Sequence, residues 1–294
     1  MRPTLTIENA RLIGESMAND VVIVNDAWVF RFAKTDWSRA ALAAEVRVLE
    51  LICGRLPLTV PEPVVCEPDA IAYRLIEGEP LTRWAFATLD DDTQQRVVDQ
   101  LGAFLRALHA IGPIDGLPVV TPECRRVRYV ERRTSIEQTL MPHLMKHQVN
   151  YLRQLFDEAL DDPTFFDYTP CLVNDDLAPY HILFDAYQRK LSGIIDFGTA
   201  HFGDPACDFG CLMQHFGEGF VSRLFATYPE AQMLLPRARF YALVIEFDWV
   251  AQGIQHNNPF LLTAHLGNTR DVRFPVHLTF DRAVALPGAK TLPK

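Results

Sequence analysis

The sequence predicts an α+β chain of two lobes, a small antiparallel sheet carrying one helix and then a larger, mainly helical lobe. Strand-type runs crowd the first 78 residues, with a single helical period among them. The breaker cluster Glu77-Gly78-Glu79-Pro80 follows. Beyond it, apolar residues recur at helical spacing over long stretches that enclose only two short strand-like runs. The expected division is therefore 1–78 and 79–294.

Each element has a local reason. The runs TLTIENARLIG (4–14), DVVIVN (20–25) and AWVFRFA (27–33) are rich in β-branched and aromatic residues, and Asn25-Asp26 supplies a tight turn. A helix is expected from Asp36, capped by Asp36 or Ser38, with Ala41, Ala44, Val48, Leu49 and Ile52 as its stripe and Gly54 at its end. VPEPVVCE and AIAYRLI read as two further strands around Pro68-Asp69. Residues 94–111 carry Val97, Val98, Leu101, Phe104, Leu105 and Leu108 at 3/4 spacing, and 146–160 and 229–255 also read as helices. Between them HILFD and LSGIID form a hairpin joined by AYQRK. Cys207 and Cys211 are four apart, which suits one buried helix face better than a metal site. The arginine run at 124–133 reads as a solvated, charge-paired surface helix.

Composition narrows the functions. The net charge of −9 argues against nucleic acid and allows a cationic ligand. Six cysteines without CxxC or disulfide-like spacing suit a reduced compartment, and no apolar run approaches a membrane span, so a cytoplasmic protein is expected, a monomer rather than an oligomer.

Chemistry concentrates in CLVNDDLAPYHILFD and the strand after it. Asp176 is followed by His181 at +5 and by Asp196 at +20, at the end of an apolar strand. A loop acid, a metal-capable side chain and a second acid on the next strand form a divalent-cation site beside a general base. With Asp175 as the base, position +5 would be Tyr180, a poor ligand for a hard cation, so Asp176 is preferred. In the first lobe, Gly14, Ser16, Asn19 and Val21 fall on the GxGxxGxV interval, although only the first position is glycine. Arg31 shares a strand face with Val29 and can reach a phosphate while pairing with Glu45 on the helix; Lys34 points to the other face.

These motifs resemble the aminoglycoside phosphotransferase family, whose fold is that of protein kinases. The similarity spans roughly residues 6–255 and rests on VFRF, EVRVLELI, YRLIEGEPL, FLRALHAI, NDDLAPYHILFD and IIDFGTAHFGDPACDFG. The resemblance implies ATP or GTP as co-substrate and phosphorylation of a small-molecule hydroxyl, with Asp176 taking the proton. It implies Mg2+ on His181 and Asp196, a base-binding hinge around Tyr73–Ile76 that includes Arg74 and Ile76, and Asp208 bracing the catalytic loop. His181 stands where most members have Asn, as in the 2''-type aminoglycoside and macrolide phosphotransferases, and this softer ligand favours competition by Mn2+. Asn174 replaces the usual His two residues before the base, and a less rigid loop is expected. The acceptor implied is an aminoglycoside, with Glu246 and Asp248 on the late apolar helix as candidate contacts to a cationic substrate, if they are not partnered internally. A macrolide, a metabolic alcohol such as choline or a sugar, and a catalytically idle nucleotide-binding module are the alternatives. Glu218 is a weaker candidate, Asp204 reads as a helix cap, and His109 reads as a core histidine.

Overall fold

β1 (Ala10–Glu15), β2 (Asn19–Val24) and β3 (Trp28–Ala33) form an antiparallel meander that β4 (Pro63–Glu67) and β5 (Ala70–Arg74) extend in the order β1-β2-β3-β5-β4. Coordinates are those of a computed structural model, which describes residues 5–15, 19–259 and 261; Ser16 lies outside them. At the β2–β3 turn Asn25 (φ 54°) and Asp26 (φ 47°) both adopt the left-handed conformation that Asn and Asp tolerate.

α1 (Asp36–Ile52) crosses behind this sheet. Its cap is Thr35, not Asp36 or Ser38: Thr35 is extended and accepts from the Ser38 amide, while Ser38 returns the bond to the Thr35 amide. The buried stripe is Ser38, Leu42, Glu45, Val48, Leu49 and Ile52, whereas Ala41 and Ala44 are only half-buried. The stripe is rotated from the expected one because Leu42 packs on Ile23, Val29, Ile71 and Tyr73, which turns Glu45 toward the sheet. Val48, Leu49 and Ile52 join the core of the second lobe, so one helix serves two hydrophobic clusters.

After β6 (Glu79–Pro80) the chain is mainly helical. The short α2 (Arg83–Ala87) precedes α3 (Asp91–His109), whose six expected apolar residues are all fully buried. α4 (Pro122–Thr139) and α5 (Lys146–Asp161) lead to β7 (Cys171–Val173). The hairpin β8 (Ile182–Asp185) and β9 (Lys190–Ile194) takes β6 as its outer strand, and β10 (His201–Gly203) pairs with β7. α6 (Ala206–Phe216), α7 (Glu218–Leu224) and α8 (Leu235–Gln255) complete the lobe. The helix expected over 229–255 is two pieces, a 3-10 segment at Pro229–Leu234 and then α8, whose start Pro236 suits because its ring cannot donate to a preceding turn. α6 and α8 approach closely at Gly210, where a Cβ would stand 2.9 Å from that of Tyr241.

The strands of the hairpin hold the functional loops, and the segment before β4 locks onto them. Thr59 pairs in parallel with Gly193, and its carbonyl accepts from the Ile194 amide at 2.9 Å. A Cβ on Gly193 would lie 2.7 Å from the Thr59 oxygen and 2.9 Å from Ile76 Cγ2. Gly193→Ala is therefore expected to destabilise the protein by about 1–3 kcal/mol, since backbone must move. Urea unfolding would show this as a lower midpoint, and an unchanged midpoint would mean that the two segments separate freely.

Candidate active site

The loop between β7 and β8 is built on one buried carboxylate. Asp208, on the first turn of α6, accepts from the Asn174 amide at 3.2 Å and the Asp175 amide at 2.7 Å. Its Oδ2 also meets His109 Nε2 at 3.0 Å, so the histidine read as core packing is the third arm of this brace. Asp175 has φ 59°, and its two bonded neighbours make that left-handed turn affordable. Asn174 works in two directions. Its Nδ2 donates to the Asp196 carbonyl at 2.9 Å, and its Oδ1 accepts from the Asp176 amide at 3.0 Å. Thr199 adds a bond from its hydroxyl to the Asn174 carbonyl at 2.8 Å. The asparagine thus ties the loop to the turn after β9, where a looser loop was expected.

Across the cleft, β3 and α1 meet that same turn. Arg31 donates to Glu45 at 2.6 Å and to Asp196 at 3.3 Å, and Glu45 also accepts from the Phe197 amide at 3.1 Å. Burial works against the charge on Arg31, but Glu45 and then Asp196 hold the guanidinium protonated well above its usual range. Burial pushes the Glu45 carboxyl up, and Arg31 opposes it. Asp196 resists burial because Arg31 and His181 hold its carboxyl below the usual carboxylate range. Lys34 pairs with Asp20 at 2.9 Å, away from this network.

His181 shows which of its nitrogens is bare. Nδ1 lies 2.7 Å from the Asp176 carbonyl, which can only accept, so Nδ1 carries the proton. In the neutral ring Nε2 then presents a lone pair, 3.5 Å from Asp196 Oδ2. Two acceptors facing each other at that distance fit a divalent cation between them. Among the described residues no cluster of three His, Cys, Asp or Glu forms a metal site. Two protein ligands suit an ion that takes its remaining oxygens from phosphates and water, as magnesium does.

Asp176 is half-buried, and burial pushes its carboxyl up to about 6, with Asp196, Asp175 and Asp208 adding to the effect and His181 opposing it. A recess of about 130 Å³ joins Asp176 to Arg31, Glu45, Asp196 and Thr199. The larger cleft between the lobes measures about 750 Å³. Val21, Ile23, Val29, Leu75 and Leu183 give it apolar walls, and Arg31, His181 and Asp196 form its polar end. That volume lies within the range of about 300–1,000 Å³ common to small-molecule and cofactor sites.

The remaining expected residues divide. Val21 and Ile76 line the large cleft, whereas the Arg74 guanidinium sits 4.0 Å over the Trp28 ring. Gly14 lies in β1, and Ser16 falls outside the described residues. Asp248 is bound by Arg132 at 3.3 Å and by Gln252, and neither it nor Glu246 lines the large cleft or the recess. Glu218 is held by Arg239. Asp204 does cap α6 through the Ala206 amide, but it also accepts from Arg237 and Tyr241 and so anchors α8. The reading of 124–133 as a solvated, charge-paired helix holds for Arg133, which pairs with Glu137 and Asp157. It is corrected for Arg125 and Tyr129, which are buried, and Arg125, Arg128 and Arg132 line one cavity with Asp175. Their i, i+3, i+7 spacing was the available signal, hidden by the exposure expected of arginine.

A five-stranded antiparallel sheet set over a helical lobe, with a nucleotide-sized cleft between them, defines a kinase-like fold. The chain belongs to the phosphotransferase enzyme family, whose model matches residues 9–241. Among relatives, the uncharacterized protein YcbJ of Bacillus subtilis (strain 168) is 27% identical over 248 residues, 78% of this chain and 77% of its own. Viomycin phosphotransferase of Streptomyces vinaceus is 24% identical over 215 residues, 70% and 73% of the two chains. The GDP and kanamycin complex of APH(2'')-IIia superposes with a TM-score of 0.82 at 26% identity, covering 92% of this chain and 94% of that one. Macrolide 2'-phosphotransferase type I shares the fold with a TM-score of 0.71 at 22% identity, covering 92% of each chain. No helix among the described residues is long and apolar enough to cross a membrane.

Asp208→Ala removes the acceptor shared by two amides and a histidine. We expect a loss of about 3 kcal/mol, since bonds to a charged acceptor are among the stronger ones. Amide exchange should accelerate selectively at Asn174 and Asp175. Exchange as slow as in the parent protein would show that the loop holds its shape without the carboxylate.

Proposed function

We propose that this protein transfers the γ-phosphate of ATP or GTP to a hydroxyl of a small molecule, with residues 1–78 covering the nucleotide and 79–294 carrying the acceptor. The observation that carries the reading is that Arg31 and Asp196 line both the large cleft and the recess that holds Asp176. Nucleotide phosphates and a proton acceptor would thus share one wall.

The apolar cleft walls, Val21 among them, take the base, with Ile76 on the hinge, Arg74 held beside it through Trp28, and Gly14 and Ser16 expected on the phosphate side. Arg31, held by Glu45, neutralises phosphate charge. His181 Nε2 and Asp196 Oδ2 would hold Mg2+, or Mn2+ given the imidazole ligand, and such an ion would supply neutralisation of phosphate charge. Asp176 orients the acceptor hydroxyl and takes its proton as the oxygen bonds to the γ-phosphorus and the bridging bond to the nucleoside diphosphate breaks. With its carboxyl raised to about 6, Asp176 is a stronger base than a free carboxylate yet still ionised at neutral pH. Most of the acceleration comes from positioning and electrostatics. Free buried cysteines agree with a reduced, cytoplasmic setting.

For the acceptor, the resemblance and the kanamycin complex of a relative 26% identical support an aminoglycoside. The three arginines that line a cavity with Asp175 favour a different class. An idle nucleotide-binding module has less support, because the Arg31–Glu45 pair, Asp176 and Asp196 are all in place.

Asp176→Asn should lower turnover by roughly 10²–10⁴ with nucleotide affinity little changed, the loss typical of a missing general base. His181→Ala should instead raise the metal concentration needed for half-maximal nucleotide binding. Both are read by coupled turnover assays and calorimetry, and an Asp176→Asn enzyme of full activity would remove the proposed role.

A further inference from the structure

Beside the loop that carries Asp175, α4, α6 and α8 line a cavity of about 180 Å³. Its wall includes Arg125, Arg128 and Arg132 from one face of α4, together with Asp175, Cys207 and Cys211. Burial pushes both thiols well above the usual range, so they add no charge. In a chain of net charge −9 this is a local excess of cations.

Arg125 is the informative residue. It is only 7% exposed, and its Nε has no hydrogen-bond partner. Its guanidinium reaches His201 Nε2 at 3.4 Å and lies 5.6 Å from the Tyr241 ring. His201 Nδ1 donates to the Thr199 carbonyl at 3.0 Å, which leaves Nε2 as an acceptor for Arg125. No carboxylate pairs with Arg125 or Arg128 among the described residues, and only Arg132 has one, Asp248. Asp175 acts on Arg125 through space, but a buried guanidinium with an open donor and no hydrogen-bonded carboxylate is costly unless an anion completes it.

We propose that the acceptor alcohol carries an anionic group, a carboxylate or a phosphate monoester, which Arg125, Arg128 and Arg132 bind while its hydroxyl reaches Asp176. The proposal rests on the phosphotransferase reading above and names its substrate class. Asp175 lines the cavity, and Asp176, the next residue, lines the recess beside Arg31 and Asp196, so one acceptor would extend from the anion site at α4 to the base. A polycation would face three guanidiniums and one unpaired carboxylate, an arrangement that selects against it. The cavity is also smaller than the roughly 300–1,000 Å³ typical of sites for drug-sized ligands.

The test uses the full chain with Mg2+ and a non-hydrolysable triphosphate analogue in the nucleotide cleft. Calorimetric titration with inorganic phosphate, acetate and kanamycin is then run on the parent protein and on Arg128→Gln, an exposed position whose change should not disturb folding. Phosphate or acetate should bind, and binding should weaken about tenfold in Arg128→Gln, the loss expected for a charge-assisted bond. Which of the two binds separates a phosphate ester from a carboxylate. Kanamycin should not bind. Turnover on short hydroxy acids and sugar phosphates should show the same variant raising KM at unchanged kcat. Kanamycin binding that tightens in Arg128→Gln, or anion binding that is absent or indifferent to that change, would overturn the proposal. Failure of the nucleotide analogue itself to bind would instead remove the phosphotransferase reading, while the anion titrations still report on the cavity.

Discussion

A buried guanidinium needs counter-charge, and Arg31 takes it from two places at once. Glu45 comes from the helix behind the sheet and Asp196 from the turn after β9, so one cation draws together the sheet, α1 and the second lobe. Glu45 makes the connection rigid by accepting from the Phe197 amide as well. Removing any one member would leave a charge buried without its partner, which is far more costly than never burying the set. The same need explains the packing of α1. Its rotation puts Glu45 inward and lets Leu42 serve the sheet, while Val48, Leu49 and Ile52 anchor it in the other lobe.

A second carboxylate organises the loop in the same economical way. Asp208 gives up all external contact to hold two amides and one imidazole, and Asn174 then links that loop to the Asp196 turn. Asp176 is left as a half-buried acid on a rigid frame, near other carboxylates and raised for that reason as well as by burial. His181 is oriented by the backbone carbonyl of the very residue it neighbours in space, which aims its bare nitrogen at Asp196. A side chain aimed through its second nitrogen is the usual way of preparing a histidine ligand.

The acidic surface and the basic cavity are separate decisions. Net charge is a sum over the whole chain, but recognition depends on the few groups a ligand touches. Here the three arginines on one face of α4 line one cavity with Asp175, and Arg132 pairs with Asp248 on α8. Family likeness supports the transfer chemistry, whereas the proposed acceptor class rests on this local wall.

By itself the sequence determined the two-lobed architecture, the strand and helix periods, and the Asp176–His181–Asp196 spacing, because each depends on neighbours within a few turns or on fixed intervals in a motif. It also singled out Arg31 over Lys34 through strand alternation. Only the tertiary structure decided that Thr35 caps α1, that His109 braces Asp208, and that Asp248 is spent on Arg132. It likewise decided which face of α4 is inside. The Thr35 cap is a local contact, decided by which of several capping residues takes the extended conformation. The others turn on contacts between residues far apart in the chain, and a helix rich in arginine looks solvated until the elements packed against it are known.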